Sequence, residues 1–80
     1  MTLNGKKILI VGGAGFVGSN LAHYIIDNFE PQILYIVDNL LSSELINIPK
    51  SKKINFIKGS ISDDNIIKSL PKDIEYVFHL

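Results

Sequence analysis

The 80-residue sequence contains no cysteine and no arginine. Without cysteine, disulfide bonds and metal sites built on thiolates are excluded. The 8 basic residues balance the 8 acidic ones, so the formal net charge is zero. A neutral chain offers no basic surface to the phosphates of duplex nucleic acid, and we expect no nucleic-acid partner. His23 and His79 are too far apart in sequence to form a local metal motif, so no metal site is predicted.

Long apolar runs are also missing. No stretch reaches the roughly 18–20 apolar residues that a membrane span requires, so we expect no membrane association. Lys6 and Lys7 precede an apolar segment, which is one feature of a secretory signal peptide. Four glycines between residues 12 and 18 interrupt this segment, and a folded motif accounts for each of them. We therefore expect a cytoplasmic protein.

Short apolar runs predict a parallel sheet. They are mostly β-branched and end at glycine, aspartate or asparagine, as strands buried on both faces commonly do. Three such runs cover residues 8–11, 33–37 and 54–58, and a fourth strand begins within residues 75–80. Residues 40–53 are predicted to be irregular, with at most one short helical turn.

Two helices are predicted between these strands. Apolar residues at four-residue steps from Val17 to Phe29 predict an amphipathic helix over residues 16–29. A shorter helix is predicted before Pro71, with Ser62 as its N-cap. The alternation predicts an α/β fold, the N-terminal βαβ(α)βαβ part of a three-layer Rossmann-type parallel sheet.

A glycine-rich turn joins the first strand to the first helix. Residues 12–18 read Gly-Gly-Ala-Gly-Phe-Val-Gly. In such a motif Gly12 permits the tight turn, Gly15 lets a pyrophosphate approach the backbone, and Gly18 lets the helix pack closely on the strand. A flexible loop is the alternative for a bare glycine string. Dinucleotide binding at the helix N-terminus is favoured over a flexible loop, because a strand precedes the glycines, a helix follows them and an acidic residue ends the next strand.

That acid is Asp38, 20 residues beyond Gly18, where the fingerprint expects a ribose-binding carboxylate. A carboxylate accepts hydrogen bonds from the ribose hydroxyls but repels the 2′-phosphate of NADP, for which an arginine is typical. The sequence has no arginine, and the lysines at positions 50, 52 and 53 are far along the chain. NAD is therefore the predicted cofactor. The alternative is that Asp38 only forms a turn at the strand end.

No catalytic residue is predicted within the 80 residues. No tyrosine is followed four residues later by lysine, and Gly5-Lys6-Lys7 lacks the hydroxyl residue of a P-loop. His79 is expected to lie in or near the core, and His23 is expected on the solvated face of the first helix.

The sequence resembles the extended short-chain dehydrogenase/reductase family, especially its NAD-dependent nucleotide-sugar epimerases and dehydratases. The resemblance covers all 80 residues. It rests on residues 12–21, on Val-Asp-Asn-Leu at 37–40 and on Val-Phe-His-Leu at 77–80. It implies that residues 1–80 form the N-terminal part of an NAD(P)-binding Rossmann domain. The remainder of that domain and the substrate domain would lie outside this sequence.

The resemblance also implies roles for individual residues. Phe16 and Val17 would give backbone contacts to the pyrophosphate, and Leu80 would reach the middle of the cofactor. The residues implied in the adenosine loop are Asn39, Leu40, Ser42 and Ser43. Ser60-Ile61 stands where the family usually has Asp-Ile against the adenine amino group, and a neutral hydroxyl is a poorer acceptor than a carboxylate.

For the whole protein, the resemblance implies a homodimeric enzyme that acts on a nucleotide sugar by transient hydride transfer to NAD. The tyrosine and lysine that move the sugar hydroxyl proton in this family come later than residue 80. Two alternatives remain open. One is an NAD(P)H-dependent reductase of the same superfamily, and the other is a non-catalytic dinucleotide-sensing or scaffold protein.

Overall fold

The computed structural model describes residues 2–12, 15–39 and 47–80. Within these ranges the chain alternates strands and helices. The elements are β1 (Lys7–Val11), α1 (Phe16–Asn28), β2 (Ile33–Asp38), β3 (Ile54–Lys58), α2 (Asp64–Ser69) and β4 (Tyr76–His79). Residues 47–53 contain no strand or α-helix, in agreement with the irregular connection predicted there.

The four strands form one parallel sheet in the order β3-β2-β1-β4. β1 is central, because Ile10 pairs with Ile36 on one side and with Phe78 on the other. From β1 the chain adds β2 and then β3 on one side, and it then crosses over to place β4 on the other side of β1. Right-handed crossovers in these opposite directions put their helices on opposite faces of the sheet. The predicted α/β class and Rossmann-type parallel sheet are confirmed.

Helix α1 covers one face of the sheet. Ala22 and Ile25 are fully buried there with Ile8, Ile10 and other residues of the larger core cluster. The prediction that Val17 belongs to the apolar face is wrong, because its side chain is 63% exposed. The first turn of α1 lies at the edge of the sheet, where β1 has already ended, so no strand lies beneath that side chain.

Helix α2 covers the other face. Ile66 and Leu70 pack against the smaller core cluster of Leu9, Val11 and Val37. The sheet is therefore sandwiched between helices, as the predicted three-layer arrangement requires.

The predicted N-cap of α2, Ser62, is wrong. The cap is Asp63, whose side chain accepts a hydrogen bond from the Asn65 N–H at 2.9 Å. The Ser62 side chain is engaged elsewhere, because its Oγ lies 2.7 Å from Ser60 Oγ. A carboxylate also interacts favourably with the positive end of the helix, which a serine hydroxyl does only weakly.

Strand β4 forms one edge of the described sheet. Tyr76 and Phe78 are half-buried on the α1 side, whereas Val77 and His79 point to the α2 side and are exposed. The prediction that His79 lies in or near the core is therefore wrong. Its Cα partner is Val11 on β1, but α2 packs over the β1 and β2 side of this face and leaves β4 uncovered.

Two ion pairs join β1 to the segment that precedes β4. Lys7 Nζ lies 2.6 Å from Asp73 Oδ2, and Lys6 Nζ lies 3.2 Å from Glu75 Oε2. The hydrogen bond between Lys7 and Asp73 raises the pKa of Lys7 and lowers the pKa of Asp73. A backbone hydrogen bond joins the same two segments, in which the Glu75 N–H donates to the Lys7 carbonyl at 2.9 Å.

Candidate functional site

A cleft of about 140 Å³ runs along the carboxyl ends of the strands. Every strand contributes its last residue or the residues just after it. The lining residues are Val11, Gly12, Val37, Asp38, Asn39, Gly59, Ser60, Ile61 and Leu80. Open parallel α/β sheets bind their ligands at this edge, outside the strand ends, so the topology itself marks this cleft.

The turn into α1 needs glycine at position 12 for the chain's own conformation. Gly12 has φ +86°, and its N–H donates to the Val37 carbonyl at 2.8 Å. A Cβ at this position would lie 3.4 Å from the Leu80 carbonyl oxygen. The positive φ alone strains any side-chain-bearing residue. Gly12 therefore holds the first turn against the end of β4.

Gly15 is different, because neither its φ of −72° nor its surroundings require glycine. A Cβ there would make an ordinary contact of 3.5 Å with the Gly12 carbonyl oxygen. The protein itself has room for a small side chain at this position. Because glycine has no side chain, the space just outside the N-terminus of α1 stays free.

Within the described residues, the N-terminus of α1 has no side-chain cap and no negative charge in its first turn. Its cap residue is Gly15. In α2, by contrast, Asp63 caps the helix and Asp64 follows in the first turn. The first N–H groups of a helix have no acceptor within the helix, and they carry its positive partial charge. The start of α1 therefore presents backbone donors that suit an anion.

Asp38 closes β2 at the middle of the cleft. Its carbonyl oxygen accepts a hydrogen bond from the Gly59 N–H at 3.0 Å, which joins the ends of β2 and β3. Its Cα partner on β3 is Lys58, so a carboxylate and an ammonium occupy adjacent strand ends. Sequence reasoning did not identify Lys58 as a neighbour of Asp38, because that relation depends on the β2–β3 register.

Beyond β3 the cleft is neutral and partly apolar. Ile61 is half-buried and packs against the smaller core cluster. Ser60 Oγ accepts a hydrogen bond from the Ser62 N–H at 3.2 Å and shares a second hydrogen bond with Ser62 Oγ at 2.7 Å. A flat ring placed here would meet an aliphatic side chain and serine hydroxyls.

Most of the residues predicted to bind cofactor lie together. Those lining the cleft are Gly12, Asp38, Asn39, Ser60, Ile61 and Leu80. Those at the start of α1 are Gly15, Phe16, Val17 and Gly18. The predicted contacts at Leu40, Ser42 and Ser43 fall outside the described residues. The binding roles of all these residues stay predictions.

Sequence reasoning missed three lining residues, Val11, Val37 and Gly59. Their signal was present, because each stands at the carboxyl end of a predicted strand, at the edge where parallel sheets bind ligands.

None of the helices in the described part of the chain has the length and apolar composition that spanning a bilayer requires. Among the same residues, no group of three histidine, aspartate or glutamate side chains is arranged to hold a metal ion.

Comparison with known proteins gives consistent matches over nearly the whole chain. The model of the NAD dependent epimerase/dehydratase family matches residues 8–80. A dTDP-D-glucose 4,6-dehydratase of Dictyostelium discoideum is 36% identical over 81 residues, which cover 94% of this chain and 19% of the relative.

Solved structures agree with this match. The Bordetella bronchiseptica enzyme WbmF in complex with NAD+ is 44% identical, with a TM-score of 0.90 over 98% of this chain and 23% of that one. WbmF has also been solved with NAD+ and UDP. Epimerase Mth375 of Methanothermobacter thermautotrophicus is 44% identical, with a TM-score of 0.88 and the same coverage. The chain thus spans about a fifth to a quarter of the length of these proteins.

Proposed function

The chain belongs to the NAD dependent epimerase/dehydratase family, and from this premise we propose that it is the NAD-binding portion of a nucleotide-sugar epimerase or dehydratase. UDP-glucose 4-epimerase is one example of such an enzyme. The observation that carries the proposal is that the start of α1, which has no side-chain cap, and the cleft lined by Asp38 both lie at the carboxyl ends of the strands. A phosphate group binds at the N–H groups of a helix N-terminus, and ribose hydroxyls donate hydrogen bonds to a carboxylate.

The strand order supports one direction for the bound dinucleotide. The pyrophosphate lies at the start of α1, next to the end of β1, where Phe16 and Val17 offer backbone donors. The adenosine ribose lies at Asp38 on β2. The adenine then lies at the end of β3, against Ser60 and Ile61.

The proposed cofactor is NAD rather than NADP. The Asp38 carboxylate accepts hydrogen bonds from ribose hydroxyls and repels a 2′-phosphate. Two solved structures of one relative support this choice, because WbmF has been crystallised with NAD+ and with NADH.

In the complete enzyme, bound NAD supplies a hydride acceptor for the carbon that carries a sugar hydroxyl. The residues of this chain bind and orient the cofactor. No Tyr-x-x-x-Lys occurs in these 80 residues, and we assign none of them to moving the hydroxyl proton. We propose further that the full-length protein works in the cytoplasm as a homodimer, as an isomerase or oxidoreductase.

Titration and turnover of the full-length protein test the proposal. We expect NAD to bind at least about tenfold more tightly than NADP, a difference of roughly 1.4 kcal/mol, by calorimetry. We also expect at least one of UDP-glucose, UDP-N-acetylglucosamine and dTDP-glucose to be converted to an epimer or a keto-deoxy sugar. Failure to bind NAD would contradict the whole proposal. Binding without turnover of any nucleotide sugar would favour the dinucleotide sensor instead.

A further inference from the structure

The segment that returns to β3 lies on the same face of the sheet as α1. The crossovers from β1 to β2 and from β2 to β3 cross the sheet in the same direction, so right-handed connections place both on one face. Ile48, which precedes β3, is buried in the larger core cluster, and this cluster also contains Ala22 and Ile25 of α1. The end of the β2–β3 connection is therefore packed on the α1 side of the core.

His23 joins this segment to α1 by a hydrogen bond. Its Nε2 lies 3.1 Å from the carbonyl oxygen of Asn47, the residue before Ile48. A carbonyl oxygen only accepts hydrogen bonds, so the ring nitrogen is the donor, and the neutral ring carries its proton on Nε2. The His23 side chain is exposed, as predicted. Its effect on the protein therefore comes from this hydrogen bond rather than from burial.

The other end of the connection is held at the cleft. The Asp38 carbonyl oxygen accepts the hydrogen bond from the Gly59 N–H, and Asp38 and Asn39 both line the cleft. Residues 39–46 separate this fixed point from the one at Asn47. A short segment fixed at both ends has fewer conformations than one fixed at a single end, so a ligand that orders it loses less free energy to chain entropy.

We infer that His23 is a positioning residue for the cofactor: it holds the Asn47 carbonyl on α1, limits the conformations of the connection that begins at Asn39, and so strengthens binding of the adenosine end of NAD. The inference rests on the proposed function, which places the adenosine ribose at Asp38. In the described structure His23 does not line the cleft. It therefore acts through the connection and not by contact with the cofactor.

Calorimetric titration of full-length variants with NAD and with AMP tests this inference. His23→Ala should weaken NAD binding by about two- to tenfold, the range of one neutral hydrogen bond. It should weaken AMP binding by the same factor, because the two ligands share the adenosine. His23→Gln should recover most of both affinities, since its amide nitrogen can donate to the Asn47 carbonyl in place of the ring nitrogen.

Asn28→Ala is the matched control. Asn28 Nδ2 donates to the Tyr24 carbonyl at 2.9 Å, so this variant also removes an exposed bond from a side chain to the backbone, but one that stays within α1. It should bind NAD and AMP as the wild type does.

Three results overturn the inference and leave the proposed function intact. They are an NAD affinity of His23→Ala equal to that of the control, a loss for NAD without a loss for AMP, and a loss that His23→Gln does not recover. If the wild-type protein binds no NAD, the proposed function fails and the inference with it.

Discussion

At the scale of single residues, Asp38 and Lys58 bring opposite charges to adjacent strand ends, because their Cα atoms are register partners. The carboxylate favours ribose hydroxyls, while the nearby ammonium favours phosphate. The proposed selectivity for NAD over NADP therefore depends on the Asp38 carboxylate, whose register partner on β3 is a lysine.

Replacing Asp38 with alanine should weaken NAD binding by about tenfold or more, since hydrogen bonds to a charged acceptor contribute roughly 1.5–3 kcal/mol. NADP should lose much less, because the repulsion of its 2′-phosphate disappears and Lys58 remains. Calorimetry on the full-length variant measures both affinities, with Asp27→Ala on the solvated face of α1 as control. Equal losses for the two cofactors would show that Asp38 is only a turn residue.

Two glycines of the same turn should respond differently to a side chain. Gly15→Val should abolish NAD binding with little change in stability, because the protein has room there and the ligand does not. Gly12→Ala should lower stability by about 1 kcal/mol or more, since its φ is +86°. Chemical denaturation and NAD titration of both full-length variants separate the effects. Unchanged NAD affinity in Gly15→Val would remove that residue from the site.

The residues whose sequence predictions failed share a physical reason. Val17 and His79 follow the correct helical and strand periodicity, but they lie where no element of the described structure covers them. Ser62 is a suitable cap by residue type, yet its hydroxyl is paired with Ser60 and Asp63 takes the position. Periodicity identifies the apolar face of an element, whereas the packing of another element over that face depends on residues distant in sequence, and the choice of a cap depends on the hydrogen bonds of the neighbouring side chains.

At the scale of elements, the Lys7–Asp73 pair links β1 to the segment before β4, and its stabilising effect has a defined pH range. The pKa of Asp73 is lowered by its hydrogen bond to Lys7, so this contribution is present above the unfolded value and is lost as the pH falls through the folded one. The pKa of Lys7 is raised by the same bond, so the contribution is lost again as the pH rises through the folded value of the lysine.

Asp73→Asn should therefore destabilise the full-length protein at neutral pH, and this effect should disappear as the pH falls through the lowered pKa of Asp73, where the carboxylate takes up its proton. Urea unfolding midpoints across this range measure the difference between wild type and variant. Asp27→Asn is the control, because it removes an exposed carboxylate on α1 that is not part of the ion pair. A difference in midpoint that persists unchanged into strong acid would mean that the ion pair is not its source.

The elements themselves could be predicted to within a residue or two. Continuous β-branched runs located three strands, and β3 occupies the predicted residues 54–58. Helix α1 begins at Phe16 as predicted, because the period changes immediately after the glycine turn. The neighbourhood of Asp38, Ser60 and Leu80 was implied only by resemblance, since strand order and register decide which strand ends meet.

At the scale of the whole molecule, one sheet edge and part of one sheet face are uncovered in the described structure. Val77 is 59% exposed and Leu80 is 52% exposed, and β4 pairs on one side with β1. Unpaired strand edges and exposed apolar surface promote association between chains. The relatives are four to five times longer, and they have further chain available to cover such surfaces.

Expressed alone, the 80-residue chain should consequently self-associate at micromolar concentration. Sedimentation velocity and thermal melting measured by circular dichroism check this expectation. Val77→Lys should reduce association by placing a charge on the exposed face, while Lys72→Gln, which changes an already polar position, should not. A sharp, cooperative melt of a monomer would contradict the expectation.

The two neighbours of β1 in the sheet are synthesised at different times. Ile8 pairs with Leu34, close to it in sequence, and with Tyr76, almost at the other end. Contacts between near segments form first, because closing a long loop costs more chain entropy. Translation proceeds at about 5–20 residues per second, so the nascent β1 gains one neighbour seconds before it gains the other. During that interval β1 keeps an open side, which stays unpaired until β4 has been synthesised.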